Sequence, residues 1–321
     1  MKTLRHTDAG YARKLDRLCA ASSLFDAKIE ASTRAIVNRV VAKGDAALIA
    51  FAKKFDGATL TAKTLRVNDA ELASASKSVS GKLRSAIRLA HRNITQFHKR
   101  GLREGWSGRN VQGAHGGEKF DPFGRVGIYI PGGRAVYPST LLMNVIPAQV
   151  AGVPRIAMVS PPGPSGLPHQ LVMASAALMG LEELYSIGGA QAVGALAYGT
   201  ESILKVVKIT GPGNAYVAEA KRQVYGTVGI DSFAGPSEIM VVCDRDDIPV
   251  EYLVRDMLSQ AEHDPDAGAI LVTTSSKQAK EVENRLKKLV PTLPRQNIIE
   301  ASFANRSAII VAKDLDEIFE A

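Results

Sequence analysis

Four short apolar runs in the middle of the chain each lead into a glycine-bearing turn: IPGGR at 130–134, PPGPSG at 161–166, GGAQ at 188–191 and GPGN at 211–214. At the ends of strands in an open α/β sheet, glycines let the backbone approach a ligand, and helix N-termini present N–H groups to anions. Turns of this kind suit a pyrophosphate. Tyr129, Gln191 and Asn214 stand at or beside three of them and are the candidate cofactor-binding residues. No G-x-G-x-x-G fingerprint follows the first run, and no acidic residue sits at the distance usual for reading a ribose, so a standard dinucleotide site is not indicated.

A second constellation is LSQAEHDP at 258–265, the end of an expected helix halted by Pro265. Gln260 and His263 are three apart and share one helix face. An imidazole is the commonest metal-ligand nitrogen, and an i, i+3 partner can reach the same ion, yet two donors leave a tetrahedral site half filled. On the residues alone His263 has two readings, a group favoured by the helix dipole at a C-terminus or a metal ligand. Ser237, in GIDSFAGPSE, can hydrogen-bond a ligand but has no neighbouring base that would make it a nucleophile. Cys243 lies in the apolar run EIMVVCD, which predicts burial rather than thiolate chemistry.

These residues need elements to hold them. Helical spacing predicts a short helix over 8–21, a second from Thr33 to Phe55 stopped by Asp56-Gly57, and a third from Lys82 to Arg103. The glycine-rich stretch 106–124 reads as a hairpin or extended crossing and as a domain boundary. From Arg125 the runs RVGIYI, RIAMVS, ELYSIG, VVKIT and EIMVVCD alternate with alanine-rich helical stretches, the βαβ pattern. The strands are almost continuously apolar, as expected where helices cover both faces of a parallel sheet, so the fold class is doubly wound α/β. Past Asp244 the spacing predicts a helix over 249–263, a strand AILVTT, a helix through Leu289, a strand SAIIVA and the start of a helix in DLDEIFEA.

Composition narrows the function classes. No window approaches the apolar run of a membrane span, and the N-terminus lacks the apolar core of a signal peptide, which predicts a cytoplasmic protein. The two cysteines, Cys19 and Cys243, are far apart in sequence, which argues against a disulfide framework, and two are too few for a cysteine zinc cluster. Residues 1–124 carry 23 basic and 11 acidic side chains, a net +12, against −4 for the remainder. The excess is spread over amphipathic helices without an arginine-rich arm or aromatic stacking residues, so neither nucleic acid nor membrane is an expected partner.

The motifs GRVGIYIPGG (124–133), YPST (137–140), GGAQAVGALAYGT (188–200), KITGPGNAYVAEAKR (208–222), IDSFAGPSE (230–238) and LSQAEHDP (258–265) resemble those of histidinol dehydrogenases. The resemblance is collinear from about Arg34 to the end of the chain. It implies a zinc-dependent enzyme that oxidises L-histidinol to L-histidine through histidinaldehyde with two NAD and one water, in histidine biosynthesis. By that resemblance Tyr129, Gln191 and Asn214 contact NAD, Ser237 contacts substrate, and Gln260 and His263 bind zinc and face the substrate. It also implies two incomplete Rossmann-like domains, the second inserted into the first, in a homodimer.

The expected division is an N-terminal helical arm over 1–24, a first domain from 25–124 with 238–321, and a second over 125–237 with the NAD crevice. Family members continue beyond the point matching Ala321 with a Glu-His pair for proton transfer and the remaining zinc ligands. The catalytic base is therefore not assigned among these residues, and the 321-residue chain alone is expected to be inactive. Two other readings stay open: a relative oxidising another small alcohol, and a non-catalytic binding chain.

Overall fold

A computed structural model describes residues 1–19, 27–132, 138–233 and 237–320. The chain opens with strand β1 (Lys2–Arg5) and helix α1 (Tyr11–Cys19), and continues through α2 (Ala27–Phe51), α3 (Asp69–Ser78) and α4 (Gly81–Lys99). In α2, Val37, Val40, Ala47, Leu48 and Phe51 form the buried stripe. Gly44, at φ 48°, breaks the helix between them. Helix α3 begins at Asn68, whose side chain accepts the Glu71 N–H while the Glu71 carboxylate accepts the Asn68 N–H, a reciprocal cap. Strands β2 (Trp106–Arg109) and β3 (His115–Glu118) form the hairpin expected there.

A five-stranded parallel sheet follows, built from β4 (Val126–Tyr129), β5 (Ile156–Ser160), β6 (Glu183–Ser186), β7 (Lys208–Thr210) and β8 (Gly229–Ile230) in the order β6-β5-β4-β7-β8. Its helices are α5 (Pro138–Val150), α6 (Gln170–Leu178), α7 (Gly189–Tyr198) and α8 (Ala215–Val224). One face packs Tyr129, Ala157, Val159 and Ile209 against α2, α7 and α8. The other packs Ile128, Met158 and Leu184 against α3, α4, α5 and α6. Alternate residues of each strand thus enter different cores, which is why the runs are apolar throughout. The winding reverses at β4, and β4 and β7, neighbours in space, lead away from each other in sequence order.

The rest of the chain gives β9 (Glu238–Cys243), α9 (Val250–Ala261), β10 (Gly268–Thr273), α10 (Ser276–Leu289), α11 (Gln296–Asn305), β11 (Ala308–Val311) and α12 (Leu315–Glu320). These strands and β1 make a second parallel sheet in the order β1-β11-β10-β9. Helices α9, α10 and α11 cover one face through Leu253, Met257, Val282 and Ile299. Tyr11, Leu15 and Leu18 of α1 and Ile318 of α12 pack on the other, against Val272 and Ile310.

The chain divides into two compact units, one of residues 1–24 and 236–321, the other of 25–235. The second unit lies in sequence between the two segments of the first, and its membership differs from the expected division. Residues 25–124 belong to it and not to the unit completed by 238–321, because α2 joins one helical layer of the five-stranded sheet and α3 and α4 join the other. The first boundary therefore falls near residue 25 and not at 124. The N-terminal arm is likewise not purely helical: β1 pairs in parallel with β11 along Lys2–Arg5, with Leu4 buried. The part of the expected first helix beyond Cys19 lies outside the described residues.

Candidate functional site: a crevice where the sheet order reverses

The four glycine turns gather at the carboxyl edge of the five-stranded sheet. A Cβ placed on Gly188 would lie 2.3 Å from Pro161 Cγ, and one on Gly132 would lie 3.1 Å from it, so the turns after β4, β5 and β6 close on Pro161. The turn after β7 leans on β4: Gly211 has φ +112°, and a Cβ there would lie 2.1 Å from the Tyr129 carbonyl oxygen. Glycine is required at that point because the backbones of two strand ends touch. By contrast, the opposite edge carries a charge network. Arg125 pairs with Glu183 at 2.7 and 2.5 Å, and Tyr185 donates to the same carboxylate at 3.0 Å. That network ties β4 to β6 and holds Glu183 below the usual carboxylate range, chiefly through the Arg125 hydrogen bonds.

Tyr129 ends β4 and is buried. Its hydroxyl accepts the Gly189 N–H at 3.0 Å, which leaves its own proton to donate. Burial pushes its phenol up to about 12, with Asp56 adding in the same direction. At neutral pH Tyr129 is therefore a neutral donor and not a proton-abstracting base. Gln191, in the first turn of α7, is buried beside it, and a Cβ on Gly189 would lie 2.7 Å from the Gln191 Oε1. The N-terminus of α7 starts at Gly188, with no side chain capping it. Asn214 caps α8 instead: its Oδ1 accepts the N–H groups of Tyr216 and Val217, both at 3.1 Å, and its amide nitrogen is left to meet a ligand. Tyr129, Gln191 and Asn214 thus surround the point where the strand order reverses. The neighbouring uncapped helix start offers N–H groups to a phosphate, so the arrangement fits a dinucleotide.

Ser237, Gln260 and His263 belong to the other unit. Ser237 is exposed immediately before β9. Gln260 is half-buried in the last turn of α9, which ends at Ala261, so His263 falls in the following turn, its N–H donating to the Gln260 carbonyl at 3.1 Å. The exposed imidazole and the nearby carboxamide are two donors where zinc takes four. Among the described residues no three His, Cys, Asp or Glu side chains gather into a metal cluster. These residues do not complete a zinc shell. Cys243 is buried, as expected, with its Sγ 3.3 Å from the Arg245 carbonyl.

Two residues near the crevice, Asp56 and Lys221, were not singled out as site residues by sequence reasoning. Asp56 lies in the tight turn that ends the α2 segment, with a buried Oδ2 lacking a hydrogen-bond partner. Lys221, in α8, is 1% exposed, and it contacts Asp231 and the Gly211 carbonyl. A signal for Lys221 was available, since it stands four residues after Val217 and three before Val224, on the buried stripe of α8.

A family model described as histidinol dehydrogenase matches residues 20–321. The chain belongs to the histidinol dehydrogenase family. The histidinol dehydrogenase of Dechloromonas aromatica (strain RCB) is 45% identical over 318 residues, spanning 99% of this chain and 73% of that protein. That of Synechococcus sp. (strain ATCC 27144 / PCC 6301 / SAUG 1402/1) is 46% identical over 305 residues, 94% of this chain and 70% of its own length. The crystal structure of histidinol dehydrogenase from Elizabethkingia anophelis superposes with a TM-score of 0.88 at 33% identity, covering 100% of this chain and 72% of that one. Membership makes the chain a histidinol dehydrogenase, an oxidoreductase of histidine biosynthesis, and bears out the motif resemblance. No helix among the described residues is long and apolar enough to cross a membrane.

Proposed function

We propose that histidinol dehydrogenation by this chain uses NAD held in the crevice at the reversal of the five-stranded sheet, with Tyr129, Gln191 and Asn214 as its contacts. The observation that carries this reading is the convergence of those three side chains on four glycine turns beside the uncapped start of α7. When bound, NAD supplies the acceptor for the hydride leaving the substrate carbon in each of the two oxidations, alcohol to aldehyde and hydrated aldehyde to acid. The chain's own residues orient and bind. Tyr129, kept protonated by burial, donates a hydrogen bond while the Gly189 N–H fixes its hydroxyl. Asn214 offers its amide nitrogen from a position locked by helix capping.

In the same reading Ser237 contacts L-histidinol, and Gln260 and His263 face the substrate and contribute two donors to a zinc site. Because those two donors do not fill a zinc shell, no step is assigned to the metal. The proton that leaves with each hydride goes to a base that the site residues named here do not supply. The reading extends to a cytoplasmic homodimer built from Rossmann-like units.

Calorimetric titration with NAD⁺ tests it. The wild-type chain binds NAD⁺, and Tyr129→Phe, which keeps the ring but loses the hydroxyl, binds it about tenfold more weakly. Equal affinity in Tyr129→Phe would remove Tyr129 from the site. His263→Ala leaves NAD⁺ affinity within about threefold while weakening zinc uptake, and a matching loss of both would contradict the separate roles.

A further inference from the structure

Gly211 is held by both of its backbone polar groups. Its N–H donates to Asp231 Oδ2 at 2.8 Å, and its carbonyl accepts from Lys221 Nζ at 3.0 Å. The two side chains also bond each other through Asp231 Oδ1, which accepts the Ser232 N–H at 2.7 Å as well. Lys221 comes from the buried face of α8, and Asp231 directly follows β8, its own N–H donating to the Ile209 carbonyl at 3.2 Å. The turn joining β7 to α8 is thus fixed from two elements outside it, and the turn in turn rests on the Tyr129 carbonyl.

We propose that Lys221 and Asp231 are positioning residues for the cofactor crevice. They clamp the GPGN turn in the one arrangement that sets Asn214 and Tyr129 on either side of the reversal point. This rests on the NAD reading above. Energetics favour a positioning role over a purely structural one. An ion pair of a lysine 1% exposed and a carboxylate side chain 32% exposed is no more stabilising than well-packed apolar side chains in place of both partners. Packing alone would be served by methionine at 221. What methionine cannot do is hold the Gly211 carbonyl, so the turn would keep its neighbours and lose its fixed geometry.

The test compares the wild-type chain with Lys221→Met and Lys221→Arg, by NAD⁺ titration, thermal melting and hydrogen exchange of the segment 210–214. Lys221→Met, which leaves the part-exposed Asp231 carboxylate without its cation, is expected to melt below wild type but to stay folded at the titration temperature, to exchange faster in that segment with other segments unchanged, and to bind NAD⁺ about tenfold or more weakly. Lys221→Arg, which keeps a cationic donor, is expected to restore part of both. If Lys221→Met exchanges like wild type in 210–214, or binds NAD⁺ within about twofold of a binding wild type, the proposal is overturned. If that variant melts far below wild type, Asp231→Asn takes its place, since it retains an acceptor for the Gly211 N–H but removes the charge, and the same two readouts decide. A wild-type chain that does not bind NAD⁺ overturns the cofactor reading, while the exchange result still upholds or overturns the clamp.

Discussion

Replacing Asp56 with asparagine should stabilise the inserted unit at neutral pH and remove a pH dependence that runs opposite to the usual one for a carboxylate. Burial pushes the Asp56 carboxyl up from 3.8 to about 6, and its Oδ2 has no hydrogen-bond partner. The folded state therefore holds the proton more tightly than the unfolded chain does. Its contribution to stability is greatest below pH 4, declines as pH rises towards 6, and is flat above. A shift of about two units corresponds to about 3 kcal/mol at 1.36 kcal/mol per unit, but a half-buried carboxyl is screened by solvent, so about 1 kcal/mol is the expected size. For a unit of this length that is roughly 2–4 °C in Tm. Thermal melts of wild type and Asp56→Asn from pH 4 to pH 8 supply the assay. The two should coincide near pH 4, and the variant should melt higher above pH 6. A variant that is less stable than wild type at pH 8, or a difference that does not change with pH, would show that the ionised carboxylate has a favourable partner, and the burial argument would fail.

Gly211→Ala should cost about 3 kcal/mol or more of stability and abolish NAD⁺ binding, because it combines a φ of +112° with a backbone clash. Gly57→Ala is its internal control, with a similarly positive φ of +66° but open space around it; denaturant titration should show a loss of only about 1 kcal/mol. Arg125→Met should cost roughly 3 kcal/mol by chemical denaturation, since it leaves the Glu183 side chain, 22% exposed, without its cation. Because Arg125 depresses the Glu183 carboxyl, that contribution is present at neutral pH and is lost on acidification, so the gap between wild type and variant should narrow as pH falls below 4. Iodoacetamide on the native chain should label exposed Cys19 and spare buried Cys243 until the protein unfolds; rapid labelling of Cys243, read by peptide mass spectrometry, would contradict its placement in the core.

The strands that read clearly from sequence are those sandwiched between helical layers. In β4 and β5, Ile128 and Met158 face one core while Tyr129 and Val159 face the other, so every position is apolar and the run stands out. Two of the edge strands, β1 and β8, gave no such signal. In β1 only Leu4 is buried, and β8 is two residues of half-buried backbone whose pairing is fixed by β7. Helix α3 was announced by its Asn68–Glu71 cap, but its short apolar face, Leu72 and Ala75, hid it from a periodicity reading. The assignment of 25–124 to the wrong unit has a different origin. An amphipathic helix such as α2 declares that it must cover a sheet, and nothing local declares which of two parallel sheets it covers.

The candidate site divides along the same line. Tyr129, Gln191 and Asn214 were legible because turn glycines mark strand ends, and polar residues beside such turns stand out against an apolar background. Lys221 was not, since its charge reads locally as surface: the neighbouring Arg222 is in fact a surface side chain, 34% exposed and paired with Glu219 and Glu30. Only helical phase separates the two. Lys221 lies on the stripe of Val217, Ala220 and Val224, where a cation can remain only if acceptors meet it at depth. The Gly211 carbonyl and Asp231 are those acceptors, one from the turn and one from the segment after β8. A charged residue in phase with a buried stripe therefore implies a partner that comes from elsewhere in the chain, and here that partner includes the backbone of the turn proposed to hold the cofactor.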